Sequence, residues 1–588
     1  MKSIRAYFSS LNYPAARDIQ VLLVLFSCSF FLFLGRGGLI EPDEGRYSEI
    51  PREMLEKGDF ITPTLNYVHY FEKPPLHYWL TALSFKLFGL NEFAARFTGA
   101  LAGLLTVLLI YHTARKLFDR RAAILSAFIL GLSTGFTVQS RVNLTDMTLT
   151  FFLSASLCCF IIATIEHEKN KRLYHNLFFL FSALAVLTKG LIGMVLPMGI
   201  IGLYLLFCRQ WRLLKEMRLG SGCLIFLLIA APWFILVSQR NPGFARFFFI
   251  HEHLQRYLTT VHGRFQPFWY FVPILLLIML PWSFYIVRAT WNVFKERCSP
   301  TGDRLLYLVL WAAIVFLFFS ASQSKLIPYI LPVIPALAML VGKLFSDQLE
   351  KTGESLFVIE HFILVAVLSI MAVLIALYPH AREFGPLIAE TGLVRPNSSL
   401  LTKLPLISPM GGTLFAFLAL AMALTAWIAC RKKDLIALFV GLGICSYSLE
   451  IAGQPLFREG IEARKSYREL ALVARSFASA GSRVASFGYD QSLPFYTGTR
   501  TIVVGSKGEL DFGSNQGNQS AWFINEDEFL KLWQGDEQIV VLLQKGEYEL
   551  VAARLKPNAI PLAEKGKKIL ITNRVNQNSD NVHHPQPL

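Results

Sequence analysis

Six short stretches of this chain gather residue types that move protons, hold phosphate or bind metal. They are EPDEGRY (41–47), FEKPP (71–75), RVNLTD (141–146), TKG (188–190), HEHLQRY (251–257) and SQSKLIPY (322–329). Asp43 and Glu44, with Arg46 and Tyr47, follow an apolar run, and a carboxylate pair beside an arginine is uncommon in so apolar a setting. A plain helix start also fits them, with Asp43 as N-cap and Glu44 in the first turn. Glu72 and Lys73 precede two prolines that restrict the backbone and hold both side chains in place. Lys189 ends an apolar run and fits either a snorkelling lysine or a phosphate ligand, and Asp146 at a helix start fits a dipole partner. His251 and His253 lie near Arg256, and one imidazole with a distant carboxylate such as Glu72 could bind a divalent ion, although no HExxH or Cys/His cluster is present. Lys325 and Tyr329 are four apart, among Pro328, Pro332 and Pro335, which bend or break helices. Lys73 and Arg256, with Lys189 or Lys325, could hold a phosphate and stabilise negative charge on it as it leaves.

The elements that must position these residues are membrane helices. Of 588 residues, 54% are hydrophobic and 16% charged, and the mean hydropathy is +0.45, so a multi-spanning membrane protein is expected. Apolar windows fall near 18–36, 96–115, 122–138, 147–165, 175–189, 191–207, 221–238, 268–287, 305–321, 326–342, 356–378, 411–429 and 434–452, about thirteen helices. With the N-terminus inside, the cytoplasmic loops 115–121, 166–174, 208–218, 288–304 and 431–433 are all basic, as the positive-inside rule requires. The six reactive stretches then share the opposite face. The net charge of +15 is explained by these loops and not by nucleic acid, since no basic domain with stacking aromatics appears. The eight cysteines form no CxxC pair and predict neither disulfides nor a thiolate metal site. The first span lacks a cleavage signature and is expected to be retained.

Residues 1–452 form the expected transmembrane catalytic domain. Two of its outer segments are too long for turns. Within 37–95, YSEIPREMLEKG and PLHYWLTALSFKLFG read as amphipathic helices on the membrane interface, and 239–267 reads as a second interfacial element. From 453 to 575, short apolar runs (RVASFGY, RTIVVG, QIVVLLQ, KKILITN) alternate with helical stretches such as EDEFLKLWQG. That pattern predicts a small α/β domain outside the membrane, with its C-terminus there too. Residues 576–588 read as a disordered tail.

No P-loop, dinucleotide fingerprint or nucleophile elbow is present. An outer-face site without nucleotide donors points to a reaction centre supplied by lipid carriers in the same bilayer. The rival is a flippase or transporter, which would instead line a path through the midplane with ionisable groups.

EPDEGRYSEIPREML, YFEKPP, VLTKG, FFFIHEHLQRY with HGRFQPFWYFVP, and SQSKLIPYILP together resemble the aminoarabinose lipid A transferase family. More loosely, they are similar to protein O-mannosyltransferases. The resemblance runs from residue 1 to about 340 and by layout beyond. It implies a polytopic helical C-type glycosyltransferase with a periplasmic α/β domain, working as a monomer in the bacterial inner membrane with its active site on the periplasmic face. It further implies a polyprenyl (undecaprenyl) phosphate sugar donor and lipid A phosphate, or another periplasmic acceptor such as protein. By motif, Asp43 matches the family's essential acid, with Glu44, Arg46 and Tyr47 beside it. Lys73 and Arg256 match residues that hold the carrier phosphate, and Glu72 and His251 match positions associated with a metal, zinc. Asp146, Lys189, His253, Lys325 and Tyr329 fall where substrate is bound. SKLIPY stands where family members have a KGKLPTY-like run, a departure that bears on the sugar and the acceptor.

Overall fold

Helix occupies every one of the thirteen apolar windows. The structure, a computed structural model, describes residues 14–255, 266–295, 300–350, 357–377, 409–479, 481–555 and 559–574. Among these, eight helices are long and apolar enough to cross a membrane, or ten if each of two bent pairs is one span. The three other windows hold shorter or more polar helices, Ala15–Phe31, Glu168–Lys189 and Ile192–Cys208. The bent pairs depart from the expected straight spans: Arg120–Gly131 meets Thr134–Ser140 at 64°, and Phe268–Ile278 meets Trp282–Lys295 at 114°. The second break falls at Pro281, which has no N–H with which to continue the helical ladder. The helix beyond it, Ile286–Lys295, also fills the start of the expected loop 288–304.

The chain divides into two compact units, Met1–Leu34 with Arg96–Phe457, and Gly35–Ala95 with Arg458–Leu588. In the first, the membrane unit, the basic run RKLFDRR is partly structural. Asp18 is buried and pairs with Arg120 at 2.6 Å and Arg115 at 3.3 Å, and it accepts from the Tyr111 hydroxyl at 2.8 Å. Asp119 caps the next helix by accepting from Ala122 N at 2.9 Å. The described cysteines are all free.

The second unit joins residues 35–95 to the C-terminal domain. A hairpin of β1 (Thr64–Leu65) and β2 (Val68–His69) precedes a six-stranded sheet. The sheet comprises β3 (Arg483–Phe487), β4 (Ile502–Val504), β5 (Phe523–Ile524), β6 (Ile539–Gln544), β7 (Ile560–Lys565) and β8 (Lys568–Thr572), in the order β5-β4-β3-β6-β8-β7. The first four strands are parallel, and β8 and β7 run antiparallel to their neighbours. Alternate side chains of β6 enter two cores. Val540 and Leu542 pack with Leu470, Ala474 and Phe477, while Ile539, Val541 and Leu543 pack with Phe529, Trp533 and Leu555. A strand covered on both faces reads as a continuous apolar run, as QIVVLLQ does. Leu39, Phe85, Ala94 and Ala95 belong to the first core, which is why residues 35–95 form one body with residues far along the chain.

One sequence expectation changes here. The helix Asp43–Lys57 is not amphipathic on an interface: every residue from Glu44 to Met54 is buried. Glu44, Arg46, Glu49, Arg52 and Glu53 are paired inside the unit, while Asp43 and Glu56 stay partly exposed. The tail 576–588 lies outside the described residues.

Candidate functional site

The second unit gathers the first two motifs. The helix Asp43–Lys57 starts with both acids in its first turn, where the positive end of the dipole favours them, and ends on Gly58 at φ 68°. Asp43 is a first-turn residue, not the N-cap, and the Glu44 carboxylate accepts from Ile40 N at 3.0 Å and pairs with Arg458 at 3.3 Å. Arg46 sits between two carboxylates, Asp43 at 3.2 Å and Glu509 at 2.5 Å. The other oxygen of Glu509 accepts from Gln491 Nε2 at 2.9 Å. Burial alone would pull the Arg46 guanidinium down, but Tyr70, Glu509 and Glu72 around it hold its charge well above the ordinary range. Burial pushes the Tyr70 and Tyr78 hydroxyls well up, so both remain protonated donors. Both are buried without a hydrogen-bond partner among the described residues. Tyr47 stacks on Tyr78 and meets His77 edge-on, at 6.1 and 5.8 Å between ring centroids. Glu72 and Lys73 are half-buried, with Lys73 Nζ donating to the Glu72 carbonyl at 2.9 Å, and Pro75 starts the helix Leu76–Phe88.

Exposure separates Asp43 from its neighbours. Its side chain is 42% exposed, whereas those of Glu44, Glu49 and Glu53 are fully buried. Glu49 takes a bidentate contact from Arg52, both bonds at 2.7 Å, and Glu53 accepts from Thr64 Oγ1 at 2.5 Å and Tyr67 N at 3.0 Å. Of the helix's five carboxylates these three are buried in structure; Glu56, at the far end, is exposed but held by Arg52 and Tyr67, and Asp43, at the head, is exposed beside Arg46.

The membrane unit brings three more of the expected residues together. Asp146, in the first turn of Thr145–Ala163, accepts from Lys189 Nζ at 2.5 Å, and both side chains are nearly buried. Lys189 ends the helix Glu168–Lys189, where Gly190 turns the chain at φ 82°, and its Nζ lies 4.5 Å from the Tyr329 ring centroid. That distance is within cation–π range. Lys325 donates to the carbonyls of Ser322 at 2.5 Å and Gln266 at 2.9 Å. Burial pulls its ammonium down from the ordinary lysine value.

HEHLQRY is only partly described. His251 lies on the π-helix Arg246–Gln255, stacks on Phe247 at 5.0 Å and has Nδ1 at 3.2 Å from Glu252 Oε1. Arg256 and the side chain of His253 lie outside the described residues. No three His, Cys, Asp or Glu side chains converge to hold a metal among the described residues, and Glu72 and His251 belong to different units. Two donors alone do not make a zinc site, so the described residues do not fit a resident ion.

Glu509 escapes a reading of the sequence because its partner Arg46 lies more than four hundred positions earlier, and Gln491 escapes with it because it reaches the site through Glu509. The available signal was indirect: a dense run of charge in EPDEGRY, which demands counter-charges from elsewhere.

Comparison with known proteins decides the family. Residues 22–248 match the dolichyl-phosphate-mannose-protein mannosyltransferase family, and 470–573 match the aminoarabinose transferase C-terminal domain. The undecaprenyl phosphate-alpha-4-amino-4-deoxy-L-arabinose arabinosyl transferase of Erwinia tasmaniensis is 30% identical over 519 residues, spanning 87% of this chain and 90% of its own. The chain belongs to the aminoarabinose transferase family. The enzyme of the same name from Aeromonas hydrophila is 37% identical over 340 residues, 57% of this chain, and the aligned part spans 61% of that relative. Among solved structures, ArnT from Cupriavidus metallidurans bound to undecaprenyl phosphate superposes with a TM-score of 0.78 at 28% identity, covering 97% of this chain and all of that one. Family membership and the apolar helices make this a multi-pass membrane glycosyltransferase with the fold that the motifs implied.

Proposed function

We propose that the chain transfers 4-amino-4-deoxy-L-arabinose from undecaprenyl phosphate to a phosphate of lipid A, as a monomer, at the periplasmic face of the bacterial inner membrane. The observation that carries this reading is the exposed Asp43 carboxylate beside the buried Arg46, in a helix first turn whose other acid, Glu44, is buried and paired, within a chain of this family. The bond between the anomeric carbon and the carrier phosphate oxygen breaks, and the electron pair leaves with the phosphate. An acceptor oxygen forms the new bond to the same carbon. Where the acceptor is a hydroxyl, its proton passes to Asp43; where it is an ionised phosphate, Asp43 orients the donor. Lys73 and Arg256 stabilise the departing phosphate. Glu44, Arg46 and Tyr47 shape the surroundings of Asp43, and Asp146, Lys189, His253, Lys325 and Tyr329 bind substrate. Whether Glu72 and His251 hold an ion is checked by metal analysis of purified protein before and after chelation.

General-base assistance contributes about a hundred- to ten-thousand-fold in rate. Asp43→Asn loses that assistance with a hydroxyl acceptor, and the orientation of the donor with a phosphate acceptor, so it is expected to show no measurable transfer while the protein accumulates normally in membranes; wild-type activity in that variant would remove Asp43 from the reaction. Mass spectrometry of lipid A from a deletion strain should lack the aminoarabinose increment. A second reading is favoured by the match of residues 22–248 to a protein mannosyltransferase family. It predicts an unchanged lipid A and loss of a sugar from secreted proteins of the same strain.

A further inference from the structure

The segment that delivers Asp43 has no regular structure from Arg36 to Ile40, yet its amides are held one after another. Gly38 N donates to Glu462 Oε1 at 2.8 Å, Leu39 N to the Tyr496 hydroxyl at 2.7 Å, Ile40 N to Glu44 Oε2 at 3.0 Å, and Glu41 N to the Lys465 carbonyl at 2.8 Å. The last hold before the helix is a side chain. Glu41 Oε1 accepts from both Ser492 N, at 2.8 Å, and the Ser492 hydroxyl. Gly45, two residues beyond Asp43, closes on the same point: a Cβ there would lie 2.5 Å from Ser492 N and 2.8 Å from the Gln491 carbonyl carbon. Contacts that short cannot be accommodated without moving backbone, so glycine is what lets the helix head sit on Gln491–Ser492. Glu41 and Gly45 therefore clamp Asp43 from both sides in sequence.

We propose that Glu41 is a positioning residue of the transfer reaction, fixing where the Asp43 carboxylate stands by seating the helix head on Ser492. The role assigned to the C-terminal domain is thus a template for the reacting segment. It presupposes that Asp43 is the reacting carboxylate. Because a misplacement of about 1 Å is enough to cost roughly a hundredfold in rate, the effect should fall on kcat.

The test uses full-length protein purified in detergent, with lipid-linked aminoarabinose as donor and lipid A as acceptor. Glu41→Ala should lower kcat by roughly a hundredfold with donor KM held within about threefold, the pattern of a lost transition-state arrangement. Glu41→Gln keeps an acceptor oxygen for Ser492 and should restore most of kcat. Wild-type kcat in Glu41→Ala overturns the role, as does a loss that Glu41→Gln fails to rescue or one confined to KM. If Glu41→Ala does not accumulate, Ser492→Ala decides, since it deletes one donor without opening a large cavity; reduced kcat supports the role and unchanged kcat overturns it. The two levels separate cleanly. An active Asp43→Asn removes the proposed function itself, whereas an inactive Asp43→Asn beside a fully active Glu41→Ala removes only the positioning role.

Discussion

Two groups of buried charge in this protein are built in opposite ways. Along the helix Asp43–Lys57 of the second unit charges share partners: Arg46 lies between Asp43 and Glu509, Glu53 accepts from a hydroxyl and an amide, and Arg52 reaches Glu49, Glu56 and Tyr67. In the membrane unit Lys189 and Asp146 form a close pair with one aromatic ring beside it. The difference is local rather than a property of the whole unit, since Asp18 of the membrane unit has three partners, Arg115, Arg120 and Tyr111. The lesson concerns failure. A pair depends on each member, while a network redistributes its hydrogen bonds when one is removed.

That contrast breaks most sharply at Lys189. Lys189→Met leaves Asp146 buried without the cation at 2.5 Å, and breaking a buried pair in this way costs about 3–5 kcal/mol. Thermal melting of detergent-purified protein should show a large loss, and adding Asp146→Asn should recover much of it. Equal damage in single and double variants would mean that the two residues are not coupled.

The network should respond less. Glu509→Gln keeps the side-chain shape but removes the charge at 2.5 Å from Arg46, a charge-assisted bond of about 1.5–3 kcal/mol, while Asp43 remains on the other side of the guanidinium. The expected result is a partial fall in transfer with little change in melting temperature. If Glu509→Gln were as inactive as Asp43→Asn, Glu509 would itself belong among the reacting groups.

What could be read beforehand follows the range of each interaction. Apolar windows fell on the helices of the membrane unit, because hydropathy is a local sum. That same sum has no direction, so it missed the 64° and 114° bends. The four apolar runs of the C-terminal domain became β3, β4, β6 and β8, since strand patterning is also local. Asp146, Lys189 and Tyr329 were each chosen as unusual residues, but nothing near them in sequence revealed that they meet. The helix Asp43–Lys57 misled most. Its acids and arginines look like a solvated face, and only Thr64, Tyr67, Arg458 and Glu509, which lie outside it, turn that face into an interior. Glu41 was passed over for the same reason, its partner being Ser492.

The smallest expected effect tests whether the charges of the second unit are as fully compensated as their partner lists suggest. Burial, and then the nearby Asp490, push the Glu41 carboxyl up to about 7, although Ser492 and Lys568 pull the other way. Burial also raises Asp490, against the pull of its pair with Lys568. Tyr467 and Tyr489 complete the titratable surroundings, both pushed up by burial and therefore neutral. An acid with a raised value in the folded state binds a proton that the unfolded chain has already lost. Its stabilising contribution is therefore complete below the ordinary glutamate range and disappears as pH rises through about 7. The second unit should melt a few degrees lower at pH 8 than at pH 5, at fixed salt, with faster hydrogen exchange in β3 and β6. Glu41→Gln should flatten that dependence, because an amide does not titrate. A melting temperature that instead climbs from pH 5 to pH 8 would show that the donors around Glu41 outweigh its burial and hold the carboxylate ionised.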